Sequence, residues 1–187
     1  MHKDGLITLP PPRPCQATRR PHIPCTARTN PQEPITTPGH GLADIQLQAV
    51  AHPEQQVLWR EDSHRYHDLG YTPRPGAQLR DIATSGEHIL ALLGFGAAAW
   101  KIAPRDHFSG WSPEPRPQRL HLVVNNARFL ILPWVASKNL AAKLLGLVAR
   151  RLPDAWRQRY GYRPVLLETF VETQRFPGTC YKAANWL

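Results

Sequence analysis

The sequence predicts an α/β (α+β) domain, a mixed central sheet flanked by helices in the order β-α-β-β-β-α-β-α, behind a proline-rich N-terminal arm. Three observations predict it. Ile45, Leu47 and Ala49 alternate with polar Gln46 and Gln48, the period-2 pattern of a half-buried strand. Leu140, Leu144, Leu147 and Val148 recur at helical spacing. That helix lies between two apolar runs, at 129–132 and 165–167, and a helical crossover of this kind favours a parallel pair of strands.

Residues 1–40 hold nine of the twenty prolines. Proline fixes φ and removes a donor, so this stretch is expected to be a poorly ordered, loosely packed basic arm. The domain proper is expected over 41–187, with its first strand from Asp44. His52-Pro53-Glu54 opens a helix, proline being harmless in a first turn, which runs through Trp59 to about His67 before Gly70, Pro73 and Pro75 close it. Residues 78–84 read as a strand, Ser85-Gly86 as a hairpin turn, and 88–100 as the central strand that answers it. Gly94 and Gly96 suggest a bulge or a close backbone approach there. Residues 104–117 carry four prolines and read as a loop. A further strand region spans 121–135, broken near Asn125-Asn126. Asn139 is a good N-cap for the amphipathic helix, after which Pro153-Asp154 restarts a short helix that Gly161 stops. Residues 164–172 read as a buried strand and 179–186 as a helix start.

At 187 residues, 42% hydrophobic and 20% charged, the chain has the size and composition of one globular domain. A net charge of +9 and a pI near 10.0 attract nucleic acid, acidic partners or anionic surfaces. Arginine dominates, with Arg150, Arg151, Arg157, Arg159 and Arg163 in one short stretch, and its planar fork suits phosphate. Cys15, Cys25 and Cys180 are an odd count without a C-x-x-C pair, so neither a disulfide framework nor a zinc site is indicated. Cys15 and Cys25 with His22 lack a full ligand set, and no metal is expected. No stretch reaches the ~18 apolar residues of a membrane span, and the start has no signal-peptide core, so a cytoplasmic protein is expected.

Four phrases are more specific: LGFGAAAWK at 93–101, VVNNARFLILPW at 123–134, LLETFV at 166–171 and GTCYKAANW at 178–186. They resemble, in order, the DruA-like proteins of the bacterial Druantia anti-phage defence systems. The resemblance implies a defence role with other Druantia proteins as partners. It overlaps a domain fused to transposase segments, which offers a DNA-contacting accessory domain of a mobile element as an alternative. Where the family has Tyr-His-Tyr-Leu-Gly, this chain has Tyr66-His67-Asp68-Leu69-Gly70. The family also usually continues past Trp186 into a Gly-rich basic segment, so a truncated reading frame is expected.

The element order in turn resembles the GNAT acetyltransferase core, in which the fourth strand, the next helix and the fifth strand build an acyl-coenzyme A site. That resemblance implies a cofactor contact at Lys138, Asn139 and Leu140, and a leaving-group proton donor in Tyr181. Residues 135–140 contain no glycine, however, whereas GNAT enzymes cradle pyrophosphate with a Gly-rich turn. The catalytic status is therefore open, with a coenzyme A-dependent acyltransferase as the alternative function.

Among individual residues, Glu168 lies inside an apolar strand, where a carboxylate is either a general base or the partner of an arginine. Asp106 follows Arg105 in a polar cluster, placed either for acid/base work and phosphate or as a surface ion pair of little worth. Trp111 lies near Arg105, and aromatic-plus-arginine surfaces suit nucleotides and single strands. Asn126 and Arg128 stand at a strand entry, where they bind a ligand or tie a bend. Arg150, Arg151, Arg157 and Arg159 complete the expected nucleic-acid or partner-binding set. His64 and His67 read as surface or packing residues.

Overall fold

The computed structural model describes residues 23–111 and 116–186. The alternating segment forms β1 (Ile45–Ala49), and α1 (Pro53–Tyr66) follows with proline in its first turn and the Gln55 side chain accepting from the His52 N–H. The hairpin comprises β2 (Gln78–Ser85) and β3 (His88–Ala97), turning at Gly86 with φ +57°. Next come α2 (Ala103–Ser109), α3 (Arg116–Arg119), β4 (Val123–Ile131), α4 (Leu140–Tyr160), β5 (Leu166–Thr169) and α5 (Thr179–Ala183).

The five strands form one mixed sheet in sequence order, β1-β2-β3-β4-β5. The first three pairings are antiparallel and β4–β5 is parallel, as the crossover through α4 requires. The core joins central-strand residues such as Leu90, Leu92 and Leu93 to Leu140, Leu144, Val148, Leu152 and Trp156 of α4 and to Trp59 of α1.

Several local expectations need correction. The segment expected as a loop over 104–117 contains α2, because Pro104 sits in a first turn where no N–H is needed, and Gly110 in the left-handed region ends the helix. Pro153 does not divide α4. Leu145, Val148, Leu152 and Trp156 are buried on either side of it, and burying each is worth about 1.5–3 kcal/mol, together more than the ~3 kcal/mol that an interior proline costs. The central strand stops at Ala97 rather than Trp100.

Strand β4 is not broken at Asn125-Asn126 but bulged just after them. Gly94 pairs with Arg128 and Phe95 with Asn126, leaving Ala127 as the extra residue. The Asn126 amide stitches this bulge by donating to the Gly94 and Arg128 carbonyls at 3.3 and 3.1 Å, the bend-tying role the sequence suggested. Gly94 is required by contact: a Cβ there would lie 3.1 Å from both Arg128 Cβ and Trp59 Cζ2.

The loose arm expected over 1–40 lies outside the described residues for 1–22. Residues 26–39, by contrast, form a strap held to the domain. Proline prevents regular ladders there, but individual bonds serve instead. Thr26 donates its N–H and hydroxyl to buried Glu61 at 3.0 and 2.8 Å, and Tyr66 and Arg65 donate to the Thr29 carbonyl. Ile35 bridges Val135 in parallel, and Gly39 donates to the Lys138 carbonyl at 2.9 Å.

A cleft where two parallel strands part

Strands β4 and β5 are paired only from Val123/Leu166 to Asn126/Thr169. Beyond those pairs the bulge turns β4 and the chain leaves β5, and a cleft of about 710 Å³ opens between them. Its walls are the end of α1 (66–69), β4 from 126 to 130, the chain after β5 (169–172) and the entry to α5 (176–181).

One wall is apolar and aromatic, with Phe129, Phe170, Phe176 and Tyr181. The Tyr181 hydroxyl donates to Asn126 Oδ1 at 2.8 Å, and its ring meets Phe129 and Trp186 edge-on. Burial pushes the Tyr181 phenol above its ordinary value. Arg128 and His67 also line the cleft, together with the carboxylates of Asp68 and Glu172. Arg128 is 8% exposed and, among the described residues, donates to the carbonyls of Gly70 and Ala127 and to no side chain. His67 accepts the Leu69 N–H at Nδ1, and burial first, then the Arg128 charge, holds its pKa below the usual histidine value.

The three residues expected to be catalytic are not brought together. Tyr181 lines the cleft. Glu168 alternates with Thr169 on β5, and since Thr169 lines the cleft, Glu168 points to the other face of the sheet. There it meets Arg105, which is 5% exposed and donates to Glu168 Oε2 at 3.3 Å, to Asp106 Oδ1 at 3.0 Å, and to the carbonyls of Ala99 and Trp100. Burial raises the Glu168 pKa, and Arg105 opposes the rise. Glu168, Asp106 and Arg105 thus form a buried ion cluster that clamps the chain at 99–106 onto β5.

The expected cofactor residues Lys138, Asn139 and Leu140 lie at the start of α4 and do not line the cleft. Asn139, at the N-cap position, makes no capping bond through its side chain and takes the left-handed conformation, φ +64°. Asparagine tolerates that region better than other non-glycine residues. Gly39 of the strap packs against this helix start so closely that a Cβ on it would lie 3.1 Å from the Leu140 nitrogen.

The expected nucleic-acid set also divides. Arg105 is buried in the ion cluster, and Arg151 is bound to fully buried Asp81 at 2.8 Å. Arg128 forms the cleft wall and Trp111 is half-buried. Arg150, Arg157 and Arg159 are exposed, the last with its guanidinium over the Tyr160 ring. Sequence reading missed His67 as a cleft residue. The signal was present in Tyr66-His67 closing a helix just before Gly70, but nothing local revealed that Arg128, some sixty positions on, would face it.

A mixed α+β domain with a ligand-sized cleft at the divergence of two parallel strands, lined by aromatic rings and a buried arginine, is the class of protein that this fold and site define. Within that class the chain belongs to the DruA family: the family model described as Druantia protein DruA matches residues 1–187, the whole chain. Membership suggests an anti-phage defence protein. No curated protein and no solved structure matches the chain. Among the described residues no helix is long and apolar enough to cross a membrane.

Proposed function

We propose that this protein serves Druantia anti-phage defence, alongside other proteins of the system, by engaging nucleic acid through the arginines of α4. The observation that carries the reading is the pair Arg150 and Arg157. Seven residues apart on one helix, they share a stripe, both are exposed, and among the described residues neither pairs with a carboxylate. Asp154 on the same stripe is matched by Arg163. Exposed, uncommitted guanidinium groups on a chain of net charge +9 suit phosphate contact with counterion release. Fluorescence anisotropy with a labelled oligonucleotide tests it. Binding should weaken steeply with salt, and the double variant Arg150→Ala/Arg157→Ala should lower the slope of log affinity against log salt by roughly two. An unchanged slope and affinity would overturn the reading.

A second reading, coenzyme A-dependent acyl transfer on a GNAT-like fold, is favoured by one observation: the cleft opens where the parallel β4 and β5 part. Against it, the strap covers the start of α4, so the first-turn N–H groups that would meet a pyrophosphate lie beside Gly39. Calorimetric titration with acetyl-coenzyme A decides it.

A further inference from the structure

We propose that the cleft is a binding site for a phosphate monoester carried on a planar or apolar body, with the phosphate against Arg128 and the body against the aromatic wall. A buried charge is ordinarily paired, because leaving water without a partner costs several kcal/mol per ion. Arg105, the other buried arginine among the described residues, obeys this rule with Glu168 and Asp106. Arg128 does not. More than nine-tenths buried, it reaches, among the described residues, two backbone carbonyls and no carboxylate.

The surroundings deepen the imbalance. The Arg74 charge bears on both Arg128 and His67, lowering the pKa of each after burial has done so. The acid nearest them in sequence, Asp68, is taken up by Arg175 at 3.1 Å. With its Nδ1 accepting the Leu69 N–H, neutral His67 carries its proton on Nε2 and can donate. Two donors from separate chain segments, Arg128 and His67, thus line the cleft, while its two acids, Asp68 and Glu172, are both engaged by Arg175. Several oxygens directed at once distinguish a phosphate from a carboxylate, and arginine is the side chain whose fork meets them in pairs. The volume of about 710 Å³ falls within the ~300–1,000 Å³ range of small-molecule sites. Phe129 and Tyr181 supply the face on which a base or other flat group would stack.

The phosphate could belong to a free nucleotide or to the 5′ end of a strand, and only the second form rests on the nucleic-acid reading above. The full chain is titrated calorimetrically with adenosine 5′-monophosphate, with adenosine and with inorganic phosphate. It is then offered one single-stranded oligonucleotide in 5′-phosphorylated and 5′-hydroxyl forms. The monophosphate should bind roughly tenfold or more tighter than the nucleoside, since hydrogen bonds to a charged group supply that margin. Arg128→Met should abolish the margin. His67→Asn, which keeps an acceptor for the Leu69 N–H and removes the Nε2 donor, should reduce it several-fold with little change in Tm, which keeps the test valid if the buried variant folds poorly. Preference for the 5′-phosphorylated oligonucleotide assigns the site to a strand end, and equal affinity for the two forms assigns it to a free nucleotide. Monophosphate binding that survives Arg150→Ala/Arg157→Ala while oligonucleotide binding is lost separates this site from the helix stripe. Equal affinity for adenosine and its monophosphate, or monophosphate binding indifferent to both Arg128→Met and His67→Asn, would overturn the proposal.

Discussion

Arg175 joins the two sides of the cleft through Asp68: its Nη2 lies 3.1 Å from Asp68 Oδ2 on the α1 side, while its Nη1 lies 3.6 Å from Glu172 Oε2 on the β5 side. All three side chains are about half exposed, so the bridge is screened and worth at most about 1 kcal/mol. Such a link is strong enough to bias the turn after β5 and weak enough to open thermally.

Arg175→Ala should therefore leave stability within about 1 kcal/mol of the parent while easing entry to the cleft. Cys180, half-buried in the cleft wall, is the reporter. In a background of Cys15→Ser and Cys25→Ser, its alkylation by a small thiol reagent should accelerate several-fold in the Arg175→Ala variant. An unaltered rate would show that the bridge does not restrict the cleft.

Asp62 should make stability depend on pH. It lies buried on α1, and burial, helped by the Glu61 charge and opposed by Arg65, pushes its pKa from 3.8 up to about 7. Between those values the native state keeps a proton that the unfolded chain has lost, so stability falls as pH rises from about 4 to about 7 and then levels. The loss is at most about 4 kcal/mol for a shift of this size. Urea denaturation of Asp62→Asn at pH 4.5, 6 and 8 should show that decline removed, with the variant gaining on the parent only toward higher pH. Parallel pH profiles for the two proteins would rule the assignment out.

Arg105→Ala should cost about 3–5 kcal/mol, since it leaves the Glu168 carboxylate buried without its cation and releases the carbonyls of Ala99 and Trp100. Limited proteolysis should then cut near 98–111 ahead of the sheet. Glu168→Gln, which keeps a hydrogen-bond acceptor for Arg105, should cost less. Equal losses would mean that charge, rather than the clamp on 99–106, dominates.

Gly94→Ala should destabilise by about 1–3 kcal/mol, because its methyl would meet Trp59 and Arg128 at 3.1 Å and force both to move. Since Arg128 lines the cleft, binding there should change with it. A stability within error of the parent would mean that the sheet absorbs the methyl.

Element type was largely legible in the sequence, because periodicity reports directly on which face is buried. β1 and α1 emerged close to their observed limits, and the parallel β4–β5 pair followed from the crossover alone. Misreadings clustered at proline, whose effect depends on its position within a turn: Pro104 begins a helix and Pro153 sits inside one. The site was less legible. Alternation along β5 separates Glu168 from Thr169 by a whole sheet thickness, and only the three-dimensional register shows that one faces Arg105 and the other the cleft. Both structural alternatives offered for Asn126 and Glu168, a tied bend and an arginine pair, are present in the structure. Arg128 as a cleft residue required three segments to converge, and no local pattern encodes that.

The strap has a consequence for how the molecule assembles. Gly39 is anchored by its carbonyl to Lys143 Nζ, a partner 104 residues further along the chain, and Ile35 waits for Val135. On a ribosome the strap emerges long before its seat exists, and closing so large a loop carries an entropic penalty that local contacts do not. It is therefore a late-docking unit, added after β4 and α4 have formed. In the mature protein it should be the first long-range element to detach and rejoin, so that amide exchange at Gly39 and Ala136 would run ahead of exchange within the central strands.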